Sequence, residues 1–127
     1  MASILLVEDD DQLRQLLKTL LDGAGYQISE ASNGKRVCEM YRQQPCDLVI
    51  TDLVMPDMEG LELITELRRI DRNVCIMAIS GGGRGEGDGY LKAARQLGAQ
   101  YILAKPFDND RFLEAVRLVL ENQTPGA

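Results

Sequence analysis

Residues 4–11 read Ile-Leu-Leu-Val-Glu-Asp-Asp-Asp, four apolar residues followed at once by four acids. A short run that is apolar at every position, rather than at alternate ones, marks a strand covered on both faces. The acids mark where such a strand must end. Directly afterwards Leu13, Leu16, Leu17, Leu20 and Leu21 recur at i, i+3, i+4, i+7 and i+8, one face of a helix. Gly23 and Gly25 close it. The pattern then repeats along the chain. Tyr26 to Ala31 is a second, weaker strand. Asn33 is placed to cap a helix running to about Gln44, where Pro45 stops it. Leu48-Val49-Ile50-Thr51 is a third strand, ending at Asp52. Gly60 to Arg69 forms a helix with Leu63, Ile64 and Leu67 inward. Val74 to Ile79 is a fourth strand, ending at Ser80. A glycine-rich loop and a helix through about Leu97 follow. Tyr101 to Ala104 is a fifth strand, ending at Lys105-Pro106, and Phe112, Leu113, Val116 and Leu120 mark a last helix. Five strands alternating with five helices predict an α/β fold, a parallel sheet with helices on both faces and right-handed crossovers.

The chain has 127 residues, the size of one domain. Fourteen basic residues against twenty acidic give a net charge of −6, which argues against nucleic-acid binding driven by counterion release. There is no histidine, which removes His-based zinc sites and Ser-His-Asp catalysis. Cys38, Cys46 and Cys75 form an odd set without CxxC spacing, expected to be reduced thiols of a cytoplasmic protein. No apolar run reaches a membrane span, and the acids after position 7 do not fit a signal peptide.

In open α/β sheets, ligands bind beyond the carboxyl ends of the strands. Those ends carry Glu8 to Asp11, Asp52, Ser80 and Lys105. Clustered carboxylates repel one another unless a cation joins them. With oxygen donors only, that cation is a hard one, Mg²⁺ before Ca²⁺. The charges of Glu8, Asp9 and Asp52 would be balanced by one divalent ion and the Lys105 ammonium. Carboxylates serve as nucleophiles in phosphoryl transfer, so Asp52 is a candidate phosphoacceptor. Each residue alone has an ordinary reading. Acids favour a helix N-terminus, which is the role expected of Asp10 and Asp11. Asp52 could end a strand in a turn, Ser80 could bond nearby backbone, and Lys105 could be a surface charge. Their coincidence at successive strand ends favours the functional reading. Gly81, Gly82, Gly83, Gly85, Gly87 and Gly89 lack the G-K-[ST] ending of a phosphate-binding P-loop, so nucleotide binding is not expected. This stretch should be a loop, with its helix starting late, near Asp88. It reads equally as a flexible connector and as a tuned switch loop.

Four pieces, ILLVEDD (4–10), DLVITDLVMPDMEG (47–60), IMAISGGG (76–83) and LGAQYILAKPF (97–107), resemble in order and spacing the response-regulator receiver domains of bacterial two-component signalling, of the single-receiver, chemotaxis-regulator-like kind. The resemblance covers residues 3 to about 121. It implies a flavodoxin-like sheet of order 2-1-3-4-5. Asp52 matches the phosphorylated aspartate. Asp9 matches a direct Mg²⁺ ligand, Glu8 one acting through water, and the Val54 carbonyl would complete the metal site. Ser80 matches the hydroxyl that grips the phosphoryl group and Lys105 the lysine that pairs with it. Lys105-Pro106 matches a bond that is usually cis.

The function this implies is a signalling switch rather than a metabolic enzyme. A histidine kinase or phosphotransfer protein would donate to Asp52, and the domain would catalyse its own phosphorylation, with self-dephosphorylation left open. The expected domain is 1–121, with 122–127 a disordered tail or truncated linker. The chain is then a single-domain regulator or an excised receiver. Its downstream partner or output domain is unidentified, and a phosphorylation-dependent dimer is among the expectations. The alternative is a protein-interaction module that keeps the fold without phosphorylation. A phosphatase with an aspartate nucleophile would need a DxD pattern after the first strand, whereas Asp52 follows the third. One departure stands out. The family often has Tyr or Phe three residues before the lysine, where this chain has Ile102. Tyr101 lies one residue earlier and so faces the other side of the sheet. Activation is therefore expected to act through Gly81–Gly89 and the following helix, with little role for Tyr101.

Overall fold

The computed structural model describes residues 2–53, 60–80, 96 and 98–121. The elements run β1 (Ser3–Val7), α1 (Asp11–Gly23), β2 (Gln27–Ala31), α2 (Val37–Gln43), β3 (Leu48–Asp52), α3 (Gly60–Ile70), β4 (Ile76–Ser80), β5 (Tyr101–Ala104) and α4 (Asn109–Glu121). The five strands form one parallel sheet of order β2-β1-β3-β4-β5, the flavodoxin-like order the resemblance implied. Four helices are seen among the described residues. The Val54 carbonyl, the Met55-Pro56 turn, the Gly81–Gly89 loop, all but Gln96 of the helix expected near Asp88 to Leu97, and the 122–127 tail lie outside the described residues. No helix among the described residues is long and apolar enough to cross a membrane.

Alternation along each strand divides the core into two layers. Leu5, Val7, Val49, Ile76 and Ala78 face α2 and α3, meeting Val37, Tyr41, Leu63, Ile64 and Leu67. Ile4, Leu6, Leu48, Ile50, Met77 and Ile79 face α1 and α4, meeting Leu17, Leu21, Phe112 and Val116. β3 and β4, central in the sheet, are buried throughout, whereas the edge strand β2 is largely exposed. This is why the third and fourth strands read as continuous apolar runs and the second read weakly.

Three boundaries differ from the sequence reading. Leu16 is 45% exposed, outside the buried stripe. Successive helical residues turn by about 100°, so Leu17, Leu21, Leu13 and Leu20 share the sheet-facing side and Leu16 falls beyond its edge. Asn33 does not cap α2. Its Oδ1 accepts the Lys35 N–H at 2.9 Å, forming a local turn, and the helix begins at Val37. Val74 and Cys75 precede β4 rather than belonging to it. On the β5 side the Gln100 side chain stands in for a strand's backbone: its Oε1 accepts the Ile76 N–H at 2.7 Å and its Nε2 donates to the Val74 carbonyl at 3.2 Å. Asp10 caps α1 as expected, its Oδ1 accepting from the Gln12 and Leu13 N–H groups at 3.0 and 3.1 Å.

Candidate functional site

The strand register sets the level at which each strand releases its next residue. Val7 pairs with Thr51, Asp52 with Ile79, and Ser80 with Ala104. Glu8 after β1, Asp52 and Ser80 ending β3 and β4, and Lys105 after β5 thus come to one edge of the sheet. Backbone bonds tie the edge together. The Glu8 N–H donates to the Ala31 carbonyl at 3.0 Å, Leu53 to Ile79 at 3.0 Å and Lys105 to Ser80 at 2.8 Å. The Lys105–Pro106 bond is cis.

At this edge Lys105 Nζ donates to Asp52 Oδ2 at 3.1 Å and stands 4.0 Å from Glu8 Oε1. Glu8 Oε2 accepts the Asp10 N–H at 3.1 Å, while the buried Oε1 has no hydrogen-bond partner among the described residues. Carboxylate oxygens of Glu8, Asp9 and Asp52 lie within 4.8 Å of one another; Glu8 and Asp52 are buried and Asp9 is exposed. Ser80 is buried at the neighbouring strand end. The structure therefore brings Glu8, Asp9, Asp52 and Lys105 together, with Ser80 beside them.

The electrostatics match this crowding. Burial, with the Asp52 charge added, pushes the Glu8 carboxyl up to about 7, against the Asp10 N–H and the Lys105 ammonium, which favour its ionised form. Burial alone would lower the Lys105 pKa. The hydrogen bond and charge of Asp52, then the charges of Glu8 and Asp9, outweigh it and hold the ammonium above its ordinary value. A divalent cation fits such a site. Among the described residues the donors are all oxygen, one buried carboxylate oxygen lacks a hydrogen bond, and Asp9 is exposed, on the side where an ion keeps water.

Arg14 was not legible as part of the site. Its Nη1 donates to the Glu8 carbonyl at 2.8 Å and its Nη2 to Asp11 Oδ1 at 2.6 Å, and its Nε lies 3.4 Å from Glu30 Oε1. The i, i+3 spacing from Asp11 signalled only a local helix pair. The cysteines take no part. All three are free, and burial pushes the Cys46 and Cys75 thiols up to about 11, so both are protonated at neutral pH.

The chain is similar to known proteins. The family model for the response regulator receiver domain matches residues 4–117. The chain is 34% identical over 117 residues to the chemotaxis protein CheY of Thermotoga maritima, covering 91% of this chain and 95% of that one. It is 33% identical over 117 residues to sporulation initiation phosphotransferase F of Bacillus subtilis, covering 92% of each. Among solved structures, chemotaxis protein CheY4 of Vibrio cholerae superposes with a TM-score of 0.84 at 26% identity, over 94% of this chain and 98% of that one. The fold, the strand-end cluster and these likenesses agree: the chain belongs to the response regulator receiver domain family.

Proposed function

We propose that Asp52 accepts a phosphoryl group from a phosphohistidine of a histidine kinase or phosphotransfer protein, in a Mg²⁺-dependent reaction that switches binding to a downstream partner. The observation that carries this is the convergence on Asp52 of Lys105 at 3.1 Å and of the Glu8 and Asp9 carboxylates. A carboxylate oxygen of Asp52 attacks phosphorus. The new O–P bond forms as the N–P bond breaks, and the departing imidazole nitrogen keeps the electron pair and takes up a proton. Lys105 neutralises Asp52 before transfer and the phosphoryl oxygens after it. Ser80 supplies a hydroxyl donor from the adjacent strand end. Glu8, Asp9 and Asp52 would hold Mg²⁺, with the Val54 carbonyl as a further ligand. When bound, the ion adds positive charge where negative charge develops. The domain acts as a switch that catalyses its own modification. A phosphorylation-independent interaction module has no use for a buried Glu8 carboxylate oxygen that finds no hydrogen bond among the described residues, a feature that costs stability in the metal-free chain.

The test is incubation with acetyl phosphate and Mg²⁺, read by intact mass. Wild type should gain one phosphoryl group and Asp52→Asn none. Equal labelling of the two proteins would remove Asp52 from the role.

A further inference from the structure

We propose that Arg14 is a positioning residue for the cation site, holding the β1–α1 turn so that the Glu8 and Asp9 carboxylates meet that of Asp52. The inference rests on reading that cluster as a Mg²⁺ site. Three anchors support it. Arg14 bonds the Glu8 carbonyl at 2.8 Å, bonds Asp11 at the start of α1 at 2.6 Å, and lies 3.4 Å from Glu30 on β2. One guanidinium thus joins the turn, the helix and the edge strand.

The bond to the Glu8 carbonyl matters most. That C=O and the Asp9 N–H belong to one planar peptide unit. Fixing the carbonyl direction fixes the plane from which the Asp9 side chain departs. Asp9 is exposed, so the direction of its side chain depends on how its backbone is held. The Arg14 side chain is 17% exposed, against 83% for Asp11, so its stem is packed against the structure while its partner stands in solvent. A lysine keeps the charge but not the planar fork that reaches several acceptors at once.

Charge and geometry predict opposite signs. A fixed positive charge near the cluster repels Mg²⁺, so on electrostatics alone Arg14→Ala would tighten binding. Positioning predicts the reverse, and predicts that Arg14→Lys weakens binding as well.

The experiment measures Mg²⁺ affinity by calorimetry at fixed ionic strength for wild type, Arg14→Lys, Arg14→Ala and Arg117→Ala. The last removes a cation paired with Glu114 and Glu121 on α4. Arg14→Lys, folded by circular dichroism, should bind about tenfold more weakly, as for other residues that orient metal ligands, and Arg117→Ala should match wild type. Amide exchange of the metal-free proteins gives a second readout. The Asp10 N–H, bonded to Glu8 Oε2, should exchange faster in Arg14→Lys, and this measurement decides even if Arg14→Ala fails to fold. Wild-type affinity in Arg14→Lys, tighter binding in Arg14→Ala, or unchanged Asp10 exchange would overturn the proposal alone. A wild type that binds no Mg²⁺ would overturn the reading of the site and this inference with it.

Discussion

The Nζ of Lys105, one residue past β5, lies 3.1 Å from Oδ2 of Asp52, the last residue of β3, although β4 separates the two strands in the sheet. Both groups are largely withdrawn from water, at 29% and 8% side-chain exposure. Breaking the pair removes the Lys105 ammonium from beside Asp52 and Glu8. Lys105→Met should destabilise the metal-free protein at pH 8 by about 1–3 kcal/mol in urea denaturation. The lysine pKa is raised on folding, so its contribution is full below its ordinary value of 10.5 and lost as pH rises through the folded value. The gap between wild type and variant should shrink there.

Glu8 gives a pH dependence of its own. Its carboxyl ionises near 4.5 when unfolded and near 7 in the metal-free fold. Between those values the folded state keeps a proton that the unfolded state has lost. Glu8 therefore lowers stability as pH rises through this window, and the whole penalty is present above it. Glu8→Gln should stabilise the metal-free protein at pH 8 by on the order of 1–3 kcal/mol and leave it unchanged near pH 4. Denaturation in the presence of a chelator at both pH values checks this. An equal effect at the two would contradict it.

The turn leading into β5 depends on Gly98, whose φ is 111°. Arg68 donates to its carbonyl, and atoms of the same guanidinium occupy the space a Cβ would need. Gly98→Ala should cost about 1–3 kcal/mol. Gly23 ends α1 with nothing near its missing Cβ, so Gly23→Ala should be neutral or stabilising by up to about 1 kcal/mol. Thermal unfolding of the two variants separates them, and similar losses would be the wrong outcome.

Tyr101 packs with the α1–α4 layer and Ile102 with the α2–α3 layer. The one-residue offset does place them on opposite faces. Tyr101→Ala should lower stability by about 1–3 kcal/mol through lost packing while leaving the rate of Asp52 labelling by acetyl phosphate within about twofold of wild type, an interval below 0.5 kcal/mol of barrier. A large loss of labelling in a folded Tyr101→Ala protein would give this ring a part in the chemistry.

The sequence by itself determined the order of the described elements, the parallel sheet and the strand-end positions of Glu8, Asp52, Ser80 and Lys105. Those are local properties: Ile4–Val7 and Leu48–Ile50 are apolar at every position because both faces are covered, and polar residues follow at the strand ends. The strand order came from resemblance to a family, since no local pattern says which strand lies beside which. Tertiary structure decided what depends on distant partners. Leu16 fits the helical period, but the sheet it would need lies around the corner of the helix. Asn33 is a good cap by type, yet its side chain closes a turn four residues before α2 begins. Gln100 bonds the backbone at the start of β4 through its side chain, from a position remote in the chain. Arg14 reads as half of an ion pair with Asp11, whereas its bond to the Glu8 carbonyl exists only once β1 and α1 have packed. The raised pKa of Glu8 has the same origin. A glutamate after a strand is ordinary, and burial beside Asp52 changes its proton affinity only when three strand ends meet.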